Sequence, residues 1–180
     1  MSRSIAVLAF IFLSVSVCFA QQKVPAARYK VTGTIKLSAD YCGGADPGEE
    51  NLAKMRQPIP LKGKTIYIKR GNKNFSKGRI IQKATTDDNG VFNVYLASGL
   101  YCVVEEYKVK RIQYPAANPN LSVDSLCLEK EWRKCDGVIR IENKTIENVN
   151  LIYYQHCPWT MPCTNYSGSL PPVANPQELR

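Results

Sequence analysis

Thr86-Asp87-Asp88-Asn89-Gly90-Val91-Phe92-Asn93-Val94-Tyr95-Leu96, followed by Ser98-Gly99-Leu100-Tyr101, is the stretch that decides the fold. A strand begins after Gly90, so the Asn89-Gly90 pair is read as supplying the positive backbone φ of a hairpin turn. An Asp-rich turn also invites calcium. A loop built for that ion needs about six oxygen ligands at set spacing and a closing glutamate, which this stretch lacks.

Working outward, Tyr29, Val31, Ile35 and Leu37 share one parity, the period of a half-buried strand. A turn-rich loop over 41–48 follows. Residues 49–56 then suit one or two helical turns, with acids early and Lys54 and Arg56 late, ended by Pro58 and Pro60. Further strands are predicted at 64–70, 79–85, 91–96, 101–110, 138–142 and 149–154. Short turns at Gly71-Asn72, Asp88-Asn89-Gly90 and Ser98-Gly99 connect several of them. Strands of this length and spacing describe an all-β, antiparallel sandwich. The core is assigned to 28–110, an insertion with a short helix to 111–136, and additional strands of the same domain to 137–156. A Cys- and Pro-rich tail over 157–180 is read as extended or mobile from Thr164.

The whole sequence has 180 residues, 44% hydrophobic and 22% charged, with seven cysteines and one histidine. That composition excludes a disordered, collagen-like or coiled-coil chain. The single His156 excludes a His-rich zinc site. Arg3, an apolar run over 5–13 and small residues ending at Ala20 have the layout of a secretory signal peptide over 1–20. The apolar run is short for a membrane span, so no stable membrane insertion is expected. Cys18 raises a lipoprotein alternative, but Val17 suits a lipobox poorly, and cleavage after Ala20 is the preferred reading. The mature product is expected to be secreted, periplasmic or in the cell envelope.

Export leaves six cysteines, Cys42, Cys102, Cys127, Cys135, Cys157 and Cys163, and an even count in an oxidising compartment points to disulfides. Cys157 and Cys163 bracket a proline-bounded loop that can bring them together. Leu128, Trp132 and Cys135 have helical spacing, with Ser122 as an N-cap candidate. Eight helical residues would hold Cys127 and Cys135 about 12 Å apart, too far to bridge. Either the helix stops before Cys135 or these two cysteines have other partners. As an alternative to disulfides, His156, Cys157, Met161 and Cys163 form a set of soft ligands suited to copper.

The formal charge is +9. Between 61 and 86 there are eight basic residues and no acid, while outside that segment and the leader the charges balance. Lys69, Arg70, Lys73, Lys77 and Arg79 are therefore the candidates for an anionic ligand, an acidic polysaccharide or an envelope component. Lysine guards on a strand pair are the competing explanation. No nucleic-acid recognition motif is present. The adjacent acids Asp87/Asp88 and Glu105/Glu106 point to opposite faces of a strand, so neither pair forms a glycosidase-like site. No Cys-x-x-Cys, nucleophile elbow or phosphate loop occurs, so a non-enzyme without cofactor is expected. In a eukaryotic source Asn74, Asn120, Asn143 and Asn165 would be glycosylation acceptors.

The hairpin run, preceded by Val31-Thr32-Gly33-Thr34-Ile35 and by Pro60-Leu61-Lys62-Gly63-Lys64-Thr65-Ile66-Tyr67-Ile68, resembles the carboxypeptidase regulatory-like, or transthyretin-like (prealbumin-like), domain. The resemblance covers 29–107 and implies an Ig-like or prealbumin-like sandwich. It also implies a non-catalytic accessory role in folding, interaction or surface recognition, with carbohydrate among the ligands of related sandwiches. The loop over 41–58 and everything after Lys110 are additions to that module. Tyr41-Cys42-Gly43-Gly44-Ala45 with Cys157-Pro158-Trp159 and Pro162-Cys163 is similar to secreted proteins of Bacteroidota-type bacteria carrying the domain.

Overall fold

In a computed structural model the parity of Tyr29, Val31, Ile35 and Leu37 becomes one long strand, β1 (Arg28–Ala39). Residues 26–43, 46–112 and 119–169 are described. The expected leader over 1–20, the cleavage expected after Ala20 and the last eleven residues of the tail lie outside them. The elements that follow are α1 (Glu49–Met55), β2 (Ile59–Pro60), β3 (Thr65–Arg70), β4 (Ile80–Thr85), β5 (Val91–Ala97), β6 (Gly99–Glu105), α2 (Glu106–Lys110), β7 (Leu121–Val123), α3 (Ser125–Arg133), β8 (Gly137–Ile141), β9 (Ile146–Gln155) and β10 (Thr164–Tyr166).

The turn at 86–91 is held by its own aspartate. Asp87 Oδ1 accepts from the N–H groups of Asn89 and Val91 at 2.9 and 2.8 Å, so the carboxylate serves the turn. Gly90 has φ 72°, and a Cβ there would lie 2.5 Å from the carbonyl oxygen of Ile35. Only glycine meets both demands.

Two sheets enclose the core. In the first, β1 pairs antiparallel with β5 and β2 on one side and parallel with β9 on the other. The second runs β4-β3-β6-β8 and is antiparallel throughout. Val31, Ile35, Phe92, Val94, Leu96 and Leu151 from the first meet Ile66, Ile68, Tyr101, Val103, Ile139 and Ile141 from the second, all buried. Alternate residues along each strand face inward, which is the pattern that closes a sandwich. The fold is therefore an all-β sandwich, antiparallel except for the β1–β9 pair.

A third layer covers the outer face of the second sheet. There Tyr67, Cys102 and Val104 are buried against Ile80, Val109 and Cys135; α2 lies over β3 and β6, and α3 packs against α2. Four readings change in this part of the chain. The strand expected over 101–110 stops at Glu105 and becomes α2, because Asp136 takes the Glu105 N–H at 2.7 Å and pairs with Lys108. Asp124, not Ser122, caps α3, its carboxylate accepting from the N–H groups of Leu126 and Cys127. Ser122 lies in β7, which pairs with β10, so 164–166 is a strand rather than a loose tail. Asn74 is buried and hydrogen-bonded, which removes it as a glycosylation acceptor, whereas Asn120, Asn143 and Asn165 are exposed.

The disulfides are Cys42–Cys157, Cys102–Cys135 and Cys127–Cys163. The local Cys157–Cys163 pairing is thus overturned, and the topology explains why. Parallel pairing aligns Ala39 with Gln155, so Cys42 and Cys157 emerge at the same end of neighbouring strands. The Asp124 N–H donates to the Cys163 carbonyl, which brings Cys163 beside the first turn of α3 and its Cys127. The helix also ends before Cys135, leaving that residue free to reach Cys102 on β6.

Tyr153 is buried on β9, and its hydroxyl has no hydrogen-bond partner among the described residues. Burial, reinforced by the nearby Asp136 and Glu105 carboxylates, raises its pKa. An unpaired buried hydroxyl costs about 1–3 kcal/mol. Tyr153→Phe is accordingly expected to stabilise the fold by about 1 kcal/mol, seen as a higher urea midpoint with an unchanged m-value. A lower midpoint would show that the hydroxyl is satisfied.

Candidate anion-binding site

The basic segment read from the sequence does not fold into one patch. Lys69 sits on β3 beside Tyr67, on the face that the helical layer covers, and is only 3% exposed. Its Nζ donates to Asn74 Oδ1 at 2.7 Å and to the Phe75 carbonyl at 3.0 Å. Burial, and secondarily the charge of Arg111, holds the amine below the ordinary lysine range. Lys69 is therefore corrected from surface ligand to internal clamp. Arg70, at the end of β3, lies with Arg28 and Tyr95 beside a small cavity elsewhere. Lys77 and Arg79 are exposed in the β3–β4 loop. Lys62 and Lys64 pair with Asp88 and Glu105, and Lys83 lies 4.9 Å from the centre of the Tyr67 ring.

Lys73 has a different setting. The β3–β4 loop is pulled onto α3 by Asn74, whose backbone N–H donates to the Arg133 carbonyl at 2.9 Å. The Asn74 side-chain amide donates to the carbonyls of Trp132, at 2.7 Å, and Lys108, at 3.2 Å. The Cys102–Cys135 bridge fixes the segment after α3 to the sheet beneath. Between them lies a cavity of about 540 Å³ lined by Asn72, Lys73, Phe75, Lys130, Arg133, Lys134, Cys135 and Val138. That size falls in the range of small-ligand sites, about 300–1,000 Å³.

Four of the lining residues are cations and none is a carboxylate. Arg133 forms an exposed pair with Glu129 on its own helix, of the kind that stabilises little, and Lys134, just past the helix, pairs with the half-buried Glu131. No ion pair engages Lys73 or Lys130 among the described residues. Phe75 and Val138, 60% and 53% exposed, supply apolar surface. Such a cavity can hold an anionic group while an attached ring or chain packs on Phe75.

No family model matches the chain. No curated protein matches it either. Among solved structures it is similar to a minor pilin of Streptococcus agalactiae at 12% identity, covering 76% of this chain and 48% of that one, with a TM-score of 0.36. The N-terminal domain of the shaft pilin from Lactobacillus rhamnosus GG is 14% identical over 79% of this chain and 96% of that one, with a TM-score of 0.34. A candidate carbohydrate-binding protein from Pseudomonas aeruginosa is 11% identical over 71% of this chain and 90% of that one, with a TM-score of 0.36. The chain spans about half the length of the first pilin structures it matches. The chemistry of the cavity rests on this chain's own residues.

Of the five cations read from the sequence, only Lys73 lines this cavity. Lys130, Arg133 and Lys134 were missed because their segment looked neutral, its acids cancelling its bases along the chain. Their i, i+3, i+4 spacing at the end of one helical pattern was the available signal. The copper set is corrected as well. Cys157 and Cys163 are in separate disulfides, which removes both thiolates, and His156 Nδ1 lies 3.1 Å from Asp40 Oδ2. Among the described residues no group of three or more His, Cys, Asp or Glu side chains is placed to hold a metal ion. No helix among them is long and apolar enough to cross a membrane.

Proposed function

We propose that the chain is a non-catalytic, exported interaction module that binds an anionic ligand, such as an acidic polysaccharide or envelope component. The observation that carries this reading is the cavity beside α3, with four cations, no lining carboxylate and an exposed phenylalanine. Three disulfides support residence in an oxidising compartment, as the leader-like first twenty residues do. The motif resemblance to the carboxypeptidase regulatory-like domain supports an accessory rather than catalytic role.

Polygalacturonate, an acidic glycan, and dextran, a neutral one, separate the possibilities. The protein is expected to bind the first and not the second, with affinity falling as salt rises. Joint replacement of Lys73, Lys130 and Arg133 by alanine should weaken binding by roughly tenfold or more. Replacing Arg70, Lys77 and Arg79 instead should change it by less than about twofold, since those cations lie outside the cavity. Equal loss in both variants would show a diffuse charge effect, and binding of dextran alone would overturn the proposal.

A further inference from the structure

A second feature lies away from the basic cavity, along the outer edge of β9. The Asp40 N–H donates to the Gln155 carbonyl at 2.9 Å, so Gln155 turns its backbone groups toward β1. Strand geometry repeats every two residues, so Tyr153 and Leu151 do the same. The other side of β1 agrees with this parity. Ile35 donates to Gly90 and accepts from Leu61, so odd residues of β1 face β5 and β2 and even residues face β9. The N–H and C=O groups of Asn150, Ile152 and Tyr154 therefore point away from β1. Among the described residues no strand pairs with that edge.

Natural proteins guard such edges with lysine, proline or a bulge. From Val149 to Gln155 this strand has none of these: it has no basic residue or proline, and its register shift lies nearer the beginning, opposite Val31 and Gly33. Ile152 and Tyr154 are instead 45% and 61% exposed. A cleft of about 410 Å³ runs beside them. Its lining includes Glu105, Glu131 and Asp136 and no lysine or arginine. Each of these carboxylates is also held by a lysine from outside the lining, Lys64, Lys134 and Lys108 respectively. A carboxylate has about four acceptor sites, so each retains capacity for a further donor.

We propose that the free edge of β9 receives an extended strand from a partner protein, and that this strand carries a basic side chain. A polypeptide is the occupant that offers alternating donors and acceptors at the spacing of Asn150, Ile152 and Tyr154. The apolar side chains of Ile152 and Tyr154 take alternate residues of that strand. The carboxylates across the cleft take its lysine or arginine.

The probe is a capped heptapeptide alternating lysine and valine, with a version methylated on alternate backbone nitrogens as control. In the free protein the amides of Leu151, Tyr153 and Gln155 should exchange hydrogen slowly and those of Ile152 and Tyr154 quickly. Saturating peptide should slow the latter two by about tenfold or more, and the methylated peptide should bind at least tenfold more weakly. Ile152→Pro removes a donor that the β1 ladder does not use, and is expected to fold and to weaken peptide binding by at least tenfold. The methylated peptide, tested on the unaltered protein, decides the matter even if that variant does not fold. Equal affinity for the two peptides would overturn the proposal. So would edge amides already protected in the free protein, or a self-association through this edge that the peptide does not displace. Dextran protecting the same amides where the peptide does not would point to a sugar cleft and overturn it too. The two peptide comparisons test this edge alone; the basic cavity has its own test in polygalacturonate.

Discussion

Replacing Cys42 and Cys157 together by alanine is expected to lower the unfolding free energy by about 4–5 kcal/mol, the largest single effect in this protein. The bridge closes a loop with a sequence separation of 115, and the loop-entropy cost removed from the unfolded chain grows with that length. The other two bridges close separations of 33 and 36 and should each contribute about 1 kcal/mol less. Urea unfolding under non-reducing conditions measures this. A loss below about 1 kcal/mol would show that the pairing does not constrain the unfolded chain. Non-reducing proteolysis should recover the three linked peptide pairs and no peptide joining Cys157 to Cys163.

Asn74→Ala is expected to cost about 3–4 kcal/mol. The substitution strips three hydrogen bonds from a buried position. It leaves the carbonyls of Trp132 and Lys108 without that donor and the Lys69 amine with one acceptor fewer. Asn74→Asp separates the contributions, because it keeps an acceptor for Lys69 but loses both N–H donors. If the donors dominate, Asp should destabilise nearly as much as Ala, and full rescue by Asp would instead assign the role to the Lys69 contact. Both variants should also weaken polygalacturonate binding, since Asn74 holds the Lys73 loop against α3. The depressed pKa of Lys69 gives the pH sign. The folded chain holds that proton less tightly than the unfolded chain, so this group's contribution rises as pH climbs toward about 10.

Much of the sandwich was legible in the sequence because its signals are local. Asn89-Gly90 marks a turn, and the parity of Tyr29, Val31, Ile35 and Leu37 marks the central strand. What was not legible depends on neighbours distant along the chain. Nothing in the pattern of 146–155 shows that β9 lies parallel to β1, yet that pairing selects Cys42 as the partner of Cys157. Strands of three residues such as β7 and β10 are too short to show a period. Lys69 has the parity of an outward-facing strand residue, and outward normally means wet. Here α2 covers that face beside the β3–β4 loop, and the lysine finds its acceptors, Asn74 and the Phe75 carbonyl, in that loop. The cations of the candidate site were likewise split between a loop and a helix, and linear charge counting cannot join them.

The bridge between Cys42 and Cys157 also matters if the protein is ever stretched. Tension entering before residue 42 and leaving after residue 157 would pass from sulfur to sulfur and bypass most of both sheets. At about 3.3–3.6 Å per residue, several hundred ångströms of chain would then stay slack instead of being paid out. Until that covalent link is reduced, the molecule would behave under load as a short tether.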